Sequence, residues 1–133
     1  MRWFFKSKDG GPESTVTGYW LVESKRWGSV VLLRFRGASR PVFHTHAFNA
    51  LSWLLKGCLT ERFAGIGWVP PLVNTYLPSL IPFRTPREYF HKVDATEISW
   101  VLSFRGPWAP TWEEYDPITN IHTTLSHGRT PIG

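Results

Sequence analysis

The sequence predicts an all-β protein, an antiparallel sandwich or barrel. Three observations carry this. Short aromatic and β-branched runs recur about every 8–12 residues between turn signals. Eleven glycines and eleven prolines supply those breaks. No stretch sustains the apolar period of a long helix. A chain of 133 residues is one domain's worth and can close one core. With 42% hydrophobic and 19% charged residues, disorder is excluded.

The elements follow in order. Residues 1–17 read as an N-terminal arm or a peripheral strand, and residues 18–133 as a single domain. Strands are expected over 18–23 (GYWLVE) and 29–36 (SVVLLRFR), with a Lys-Arg-Trp-Gly turn between them. A longer run covers 42–55, and Leu51 with Trp53-Leu54-Leu55 leaves a local helix open as an alternative. Lys56-Gly57 is expected to be a tight hairpin turn returning into a strand over 58–63. Residues 64–86 are rich in Gly and Pro and are expected to hold a loop and one edge strand. A strand is expected over 87–93. Residues 97–105 (EISWVLSFR) alternate, with Ile98, Trp100, Leu102 and Phe104 on one face and Ser99, Ser103 and Arg105 on the other. Asp116-Pro117-Ile118-Thr119 is a turn between two last strands.

Lys and Arg number 15 against 10 acids, for a net charge of +5. These cations are scattered as singles and pairs and form no basic stripe, so nucleic acid is disfavoured as a partner but stays open. A single cysteine, Cys58, excludes a disulfide framework and a multi-cysteine zinc site. No apolar run reaches the roughly 18 residues of a membrane helix, and the first residues lack a secretory apolar stretch, so a cytoplasmic, membrane-free protein is expected. Phosphate-cradling, dinucleotide and nucleophile-elbow motifs are missing.

His44-Thr45-His46 is the most informative local pattern. On a strand, residues two apart share a face, about 6–7 Å apart, which suits two imidazoles converging on one ion. Imidazole accommodates Fe, Zn, Cu, Ni or Mn. The bland reading is surface polarity. The surrounding residues resemble the first cupin motif: the His-x-His pair, then Ala50 at the place of the usual glutamate, then six residues to Gly57. His91, preceded by Pro86, matches the histidine of the second cupin motif, although Arg87 and Glu88 stand where a glycine is usual.

The resemblance is to small single-domain cupin-like proteins, often encoded by phages and bacteria, and it spans residues 18–115. It implies a double-stranded β-helix (jelly-roll-like) barrel. It also implies His44, His46 and His91 as ligands of a divalent metal, similar to the three-histidine iron(II) site of thiol dioxygenases. Iron(II) is the first expectation, with zinc, manganese and nickel as alternatives. The resemblance adds a homodimer, and a phage origin would place the protein in the host cytoplasm.

Strand parity extends the site. If His44 and His46 point inward, so do Phe48, Ala50, Ser52 and Leu54. If Lys56-Gly57 is a two-residue hairpin loop, Ser52 pairs with Glu61 and both face the pocket. Glu61 is then a candidate general base or outer partner of the metal, or alternatively a rim residue paired with Arg62. Arg34 and Arg36 share a face. Either Arg36 holds an anionic group of the substrate, or both are solvated because Val31, Leu33 and Phe35 are the inward set. Ser52 and Trp112 complete the substrate-binding candidates, and Trp108 joins Trp112 as a lining aromatic. The functional expectation is a metal-dependent cupin, an Fe(II) oxygenase acting on a small polar substrate. The alternatives are a non-catalytic small-ligand binder and a phage accessory or assembly module.

Overall fold

The computed structural model describes residues 1–9, 14–37, 43–64, 72–87, 90–126 and 130–131. Among these there is no helix. Thirteen strands are present: β1 (Arg2–Lys8), β2 (Val16–Glu23), β3 (Ser29–Phe35), β4 (Phe43–His44), β5 (Ala50–Lys56), β6 (Leu59–Phe63), β7 (Leu72–Tyr76), β8 (Phe83–Thr85), β9 (His91–Ala95), β10 (Ser99–Arg105), β11 (Thr111–Asp116), β12 (Ile121–Ser126) and β13 (Thr130–Pro131). They form two antiparallel sheets. One has six strands in the order β1-β2-β3-β10-β5-β8, and the other seven in the order β13-β12-β11-β4-β9-β6-β7. In the middle of each sheet strands distant in sequence pair (β3-β10-β5-β8 and β11-β4-β9-β6), as in a jelly roll.

The sheets close on a core of Trp20, Val31, Leu33, Leu54, Leu59, Ala95 and Val101. Val31 and Leu33 are buried, so β3 turns its apolar set inward as its alternation predicts. The Asp116 turn is also as expected: the Asp116 carboxylate accepts from the Ile118 N–H at 2.9 Å, and Asn120 takes φ +57°. Residues 51–55 are strand, not helix.

Three expectations change. The run over 42–55 divides into β4 and β5, which lie in different sheets. The residues between them cross from one sheet to the other, held by Thr45 N–H to Glu113 O (2.8 Å) and Gly106 N–H to Asn49 O (2.9 Å). Lys56-Gly57 likewise makes no hairpin, because β5 pairs with β10 and β8 whereas β6 pairs with β9 and β7. Gly57 is required at this corner: its φ is +105°, and a Cβ there would lie 2.1 Å from Ser99 Oγ. Finally, residues 72–85 hold two edge strands, β7 and β8, one for each sheet. The expected strand over 87–93 appears as β9, starting at His91; residues 88–89 lie outside the described set.

β10 alternates as read, and its polar set is the inner one. Ser99, Ser103 and Arg105 are buried, while Phe104 and the preceding Ile98 are exposed. The inner polar atoms find partners. Ser52 Oγ donates to Ser103 Oγ at 3.0 Å. Ser99 Oγ accepts from Cys58 N–H at 3.0 Å and donates to Glu97 O at 2.9 Å. With these bonds made, burying hydroxyls costs little.

Candidate metal centre

A cavity of about 450 Å³ runs between the sheets. His44 (β4), His46 (just beyond β4) and His91 (first residue of β9) all line it, and their ligand-capable nitrogens lie within 4.8 Å of one another. The backbone makes this convergence. His44 is the register partner of His91, and His46 follows on the same side two residues later. His46 N–H bonds Arg87 O at 3.3 Å, which ties the crossing segment to the approach to β9.

Glu61 stands behind His91. Its Oε2 lies 2.6 Å from His91 Nδ1, and its Oε1 accepts from Tyr76 O–H at 2.7 Å. Phe63 is the register partner of His91 across β6–β9, so Glu61 is its diagonal neighbour on the same face. A carboxylate accepts, so His91 donates from Nδ1 and its Nε2 lone pair points at the cluster. His46 Nε2 lies 2.6 Å from that atom; without an ion a proton bridges the two nitrogens, and an ion held by both would displace it.

Burial, then the charges of His91, His44 and Arg105, hold the His46 imidazole well below its ordinary pKa of 6.5. It thus stays neutral and able to ligate. Burial, then the hydrogen bond to Glu61 and its charge, push the Tyr76 hydroxyl above the ordinary phenol range, so it remains a donor.

The donor set suits a divalent transition metal better than magnesium or calcium, which seek oxygen ligands. Among the described residues no carboxylate joins it. Ala50 leaves only a methyl group at the position where the motif has glutamate, and both oxygens of Glu61 are engaged by His91 and Tyr76. The arrangement has the form of a carboxylate–histidine pair behind a ligand.

The other predicted site residues divide. Glu61 is fully inside (1% exposed) and not a rim residue, but it comes from the opposite sheet to Ser52 and is not its hairpin partner. Ser52 is buried, lines the cavity and bonds Ser103. Trp112 lines the cavity and meets Trp108 edge-on at 5.7 Å. Arg36 is exposed beyond the end of β3 and is not in the cavity wall. Val31 and Leu33 take the inward positions, which puts Arg34 and Arg36 on the outside. The two remaining histidines of the chain belong to no motif: His122 is exposed, and His127 lies outside the described residues.

Sequence reasoning missed Tyr76 and Arg105. Arg105 is 6% exposed, and its Nη1 and Nη2 pair with the two carboxylate oxygens of Asp9 at 3.2 and 2.7 Å. The available signal was parity: Arg105 shares a face with Ser99 and Ser103, which no apolar face could have been.

No protein-family model matches the chain, and no curated protein matches it. Solved structures do. The crystal structure of iron(II) HppE is similar over 77% of this chain and 55% of that one, with 16% identity and a TM-score of 0.58. Streptomyces albus HEPD, with 2-hydroxyethylphosphonate and Fe(II) bound, is similar over 81% of this chain and 25% of that one, with 10% identity and a TM-score of 0.62. An RmlC-like cupin from Shewanella frigidimarina is similar over 75% of this chain and 81% of that one, with 15% identity and a TM-score of 0.54. The chain thus spans about half the length of the HppE structure. At these identities the likeness concerns the fold: the protein has the cupin fold, a double-stranded β-helix, with a three-histidine cluster inside it.

Proposed function

We propose that the protein is a metal-binding cupin that holds a divalent ion on His44, His46 and His91 and acts on a small polar substrate in the adjoining cavity. The observation that carries this reading is the convergence of three imidazoles within 4.8 Å, one of them backed by a buried carboxylate. Iron(II) is the first choice of metal, and its presence in the HppE and HEPD structures supports that choice. Zinc, manganese and nickel follow. Bound iron would supply redox and Lewis-acid chemistry at coordination positions that three histidines leave open.

The chain's own residues do the rest. Glu61 keeps the His91 proton on Nδ1 and so frees Nε2 to ligate. Tyr76 O–H fixes the second oxygen of Glu61. With both oxygens engaged, Glu61 serves first to position His91; acting as a base requires one of these contacts to open. The neutrality of His46 preserves its lone pair. The Ser52–Ser103 pair offers hydroxyls to a polar ligand, and Trp112 with Trp108 offers flat apolar walls.

Elemental analysis of untagged protein tests the reading. Near-stoichiometric metal is expected, and it is lost in the His44→Ala/His91→Ala double variant. Background metal in the parent after reconstitution with iron, manganese, nickel and zinc in turn would overturn it. Iron in the parent leads to oxygen-consumption assays with small thiols, acids and phosphonates.

A second reading, an assembly module that docks a second copy, draws on the outer face of the six-stranded sheet. Leu21, Leu55, Ile98 and Phe104 are all more than two-fifths exposed there. Sedimentation of the parent and of Phe104→Lys decides it: a dimer lost in the variant supports that face as an interface, and a monomeric parent rejects it.

A further inference from the structure

Arg105 is the group in the cavity wall that the metal-site reading leaves unused. Its side chain is 3% exposed. The two terminal nitrogens hold Asp9, but Nε is buried with no hydrogen-bond partner among the described residues. A buried N–H of this kind awaits an acceptor. The guanidinium lies against two rings, 4.5 Å from the centre of Phe48 and 5.2 Å from that of Trp20. These contacts hold its plane and leave its edges to bond.

Ala50 is the register partner of Arg105 on β5 and lines the same cavity. Phe48 also touches His46, with ring centres 5.0 Å apart, so one aromatic ring separates Arg105 from the histidine cluster. A second cation borders the same space. Lys25 lines the cavity with Nζ 5.1 Å from the Trp108 ring centre, and Trp108 packs on Phe48 at 5.5 Å. Among the described residues the acids lining the cavity are Asp9, Glu23 and Glu61; Asp9 is held by Arg105, and Glu61 by His91 and Tyr76.

We propose that Arg105, assisted by Lys25, forms an oxyanion subsite, so that the ligand of this cavity is a small molecule ending in a carboxylate, phosphonate or phosphate. Nε is closed off in the observed packing, so an oxygen of that group accepts from Arg105 Nε–H as the guanidinium shifts toward the cavity, a charge-assisted bond. Asp9 occupies the neighbouring edge of the guanidinium and competes electrostatically with the incoming anion. This deepens the metal-cupin reading and rests on it only in placing the ligand in the same cavity.

The test uses the full chain, stripped of metal over a chelating resin, and titrates it with inorganic phosphate, acetate and neutral acetamide. Binding is followed by tryptophan fluorescence and by the Arg105 Nε–H resonance. Phosphate, acetate or both are expected to bind saturably and move that resonance, acetamide to do neither, and the relative affinities separate a phosphorus anion from a carboxylate. Arg105→Gln is expected to weaken binding tenfold or more, and exposed Lys25→Gln a few-fold. Asp9→Asn is expected to tighten binding several-fold, a gain that a purely structural Arg105–Asp9 pair would not produce.

No saturable anion binding, or unchanged affinity in folded Arg105→Gln, overturns the proposal. The His44→Ala/His91→Ala variant separates it from the metal reading. Anion binding retained there supports the subsite even if the parent takes up no metal. Binding that appears only in metal-loaded parent and survives Arg105→Gln places the anion on the metal, which overturns the subsite and leaves the metal reading intact.

Discussion

The inner face of the seven-stranded sheet carries His44, His91, Glu61 and Tyr76, whereas that of the six-stranded sheet carries Val31, Leu33, Val101, the Ser52–Ser103 pair and Arg105. The first wall is one connected polar network, running Tyr76 to Glu61 to His91 and on to His46. The second is apolar packing interrupted by isolated polar pairs. Members of a connected network set each other's proton positions, so a change at one atom reaches the next. An isolated pair fails alone. The chemistry of the cavity should therefore be concentrated on the first wall, with fold stability and ligand anchoring on the second.

The largest expected effect is at the histidines. His91→Ala should reduce bound metal to background while the circular dichroism of the sheets is retained, and Arg105→Gln should leave metal content unchanged. Metal content that falls equally in both variants would break the contrast between the walls.

Next comes Glu61. Removing the group that orients a ligating histidine typically weakens metal affinity about 10–100-fold. Glu61→Gln is expected to fall in that range by competition with a chelator, and Tyr76→Phe to show a smaller loss. Parent-like affinity in Glu61→Gln would mean that the network does not act on the ligands.

Ser103→Ala sharpens the other side. It leaves the buried Ser52 hydroxyl without its acceptor, which costs about 1–2 kcal/mol. The denaturation midpoint should fall accordingly, with metal affinity unchanged.

The smallest effect is on pH dependence. The pKa of His46 is lower in the folded chain than the 6.5 expected when unfolded. As pH falls through 6.5, the unfolded state takes up a proton that the folded state refuses. The stability due to this group is therefore fully present above that pH and is lost as pH falls toward the depressed value, by at most about 1.4 kcal/mol per pH unit. Urea denaturation of metal-free protein between pH 7.5 and 5.5 should show this decline, and His46→Asn should flatten it.

Much of the site was legible because it is local. His44 and His46 are two residues apart, and strand parity alone puts them on one side. His91 was reached through the motif resemblance, since nothing in its immediate neighbourhood distinguishes a ligand. Glu61 was correctly turned inward, though by a hairpin that does not exist. Parity within β6 groups Leu59 with Glu61, and the burial of Leu59 in the core is what turns Glu61 inward, where it meets His91 and Tyr76 in place of Ser52. Arg36 went the other way: its strand buries the apolar alternate set, and the buried arginine of the cavity comes instead from β10, 96 residues away from its partner Asp9 in sequence.

By itself the sequence determined the all-β class, the alternation of each strand, several of the turns and the His-x-His pair. These depend on short-range sterics and a two-residue period, which adjacent residues already encode. Tertiary structure alone decided which sheet each strand entered, that the polar face of β10 looks inward, and that Glu61 meets His91 and Arg105 meets Asp9. Those outcomes turn on which distant strands pair and on whether a buried polar group finds its partner, and both are settled only when the two sheets close on each other.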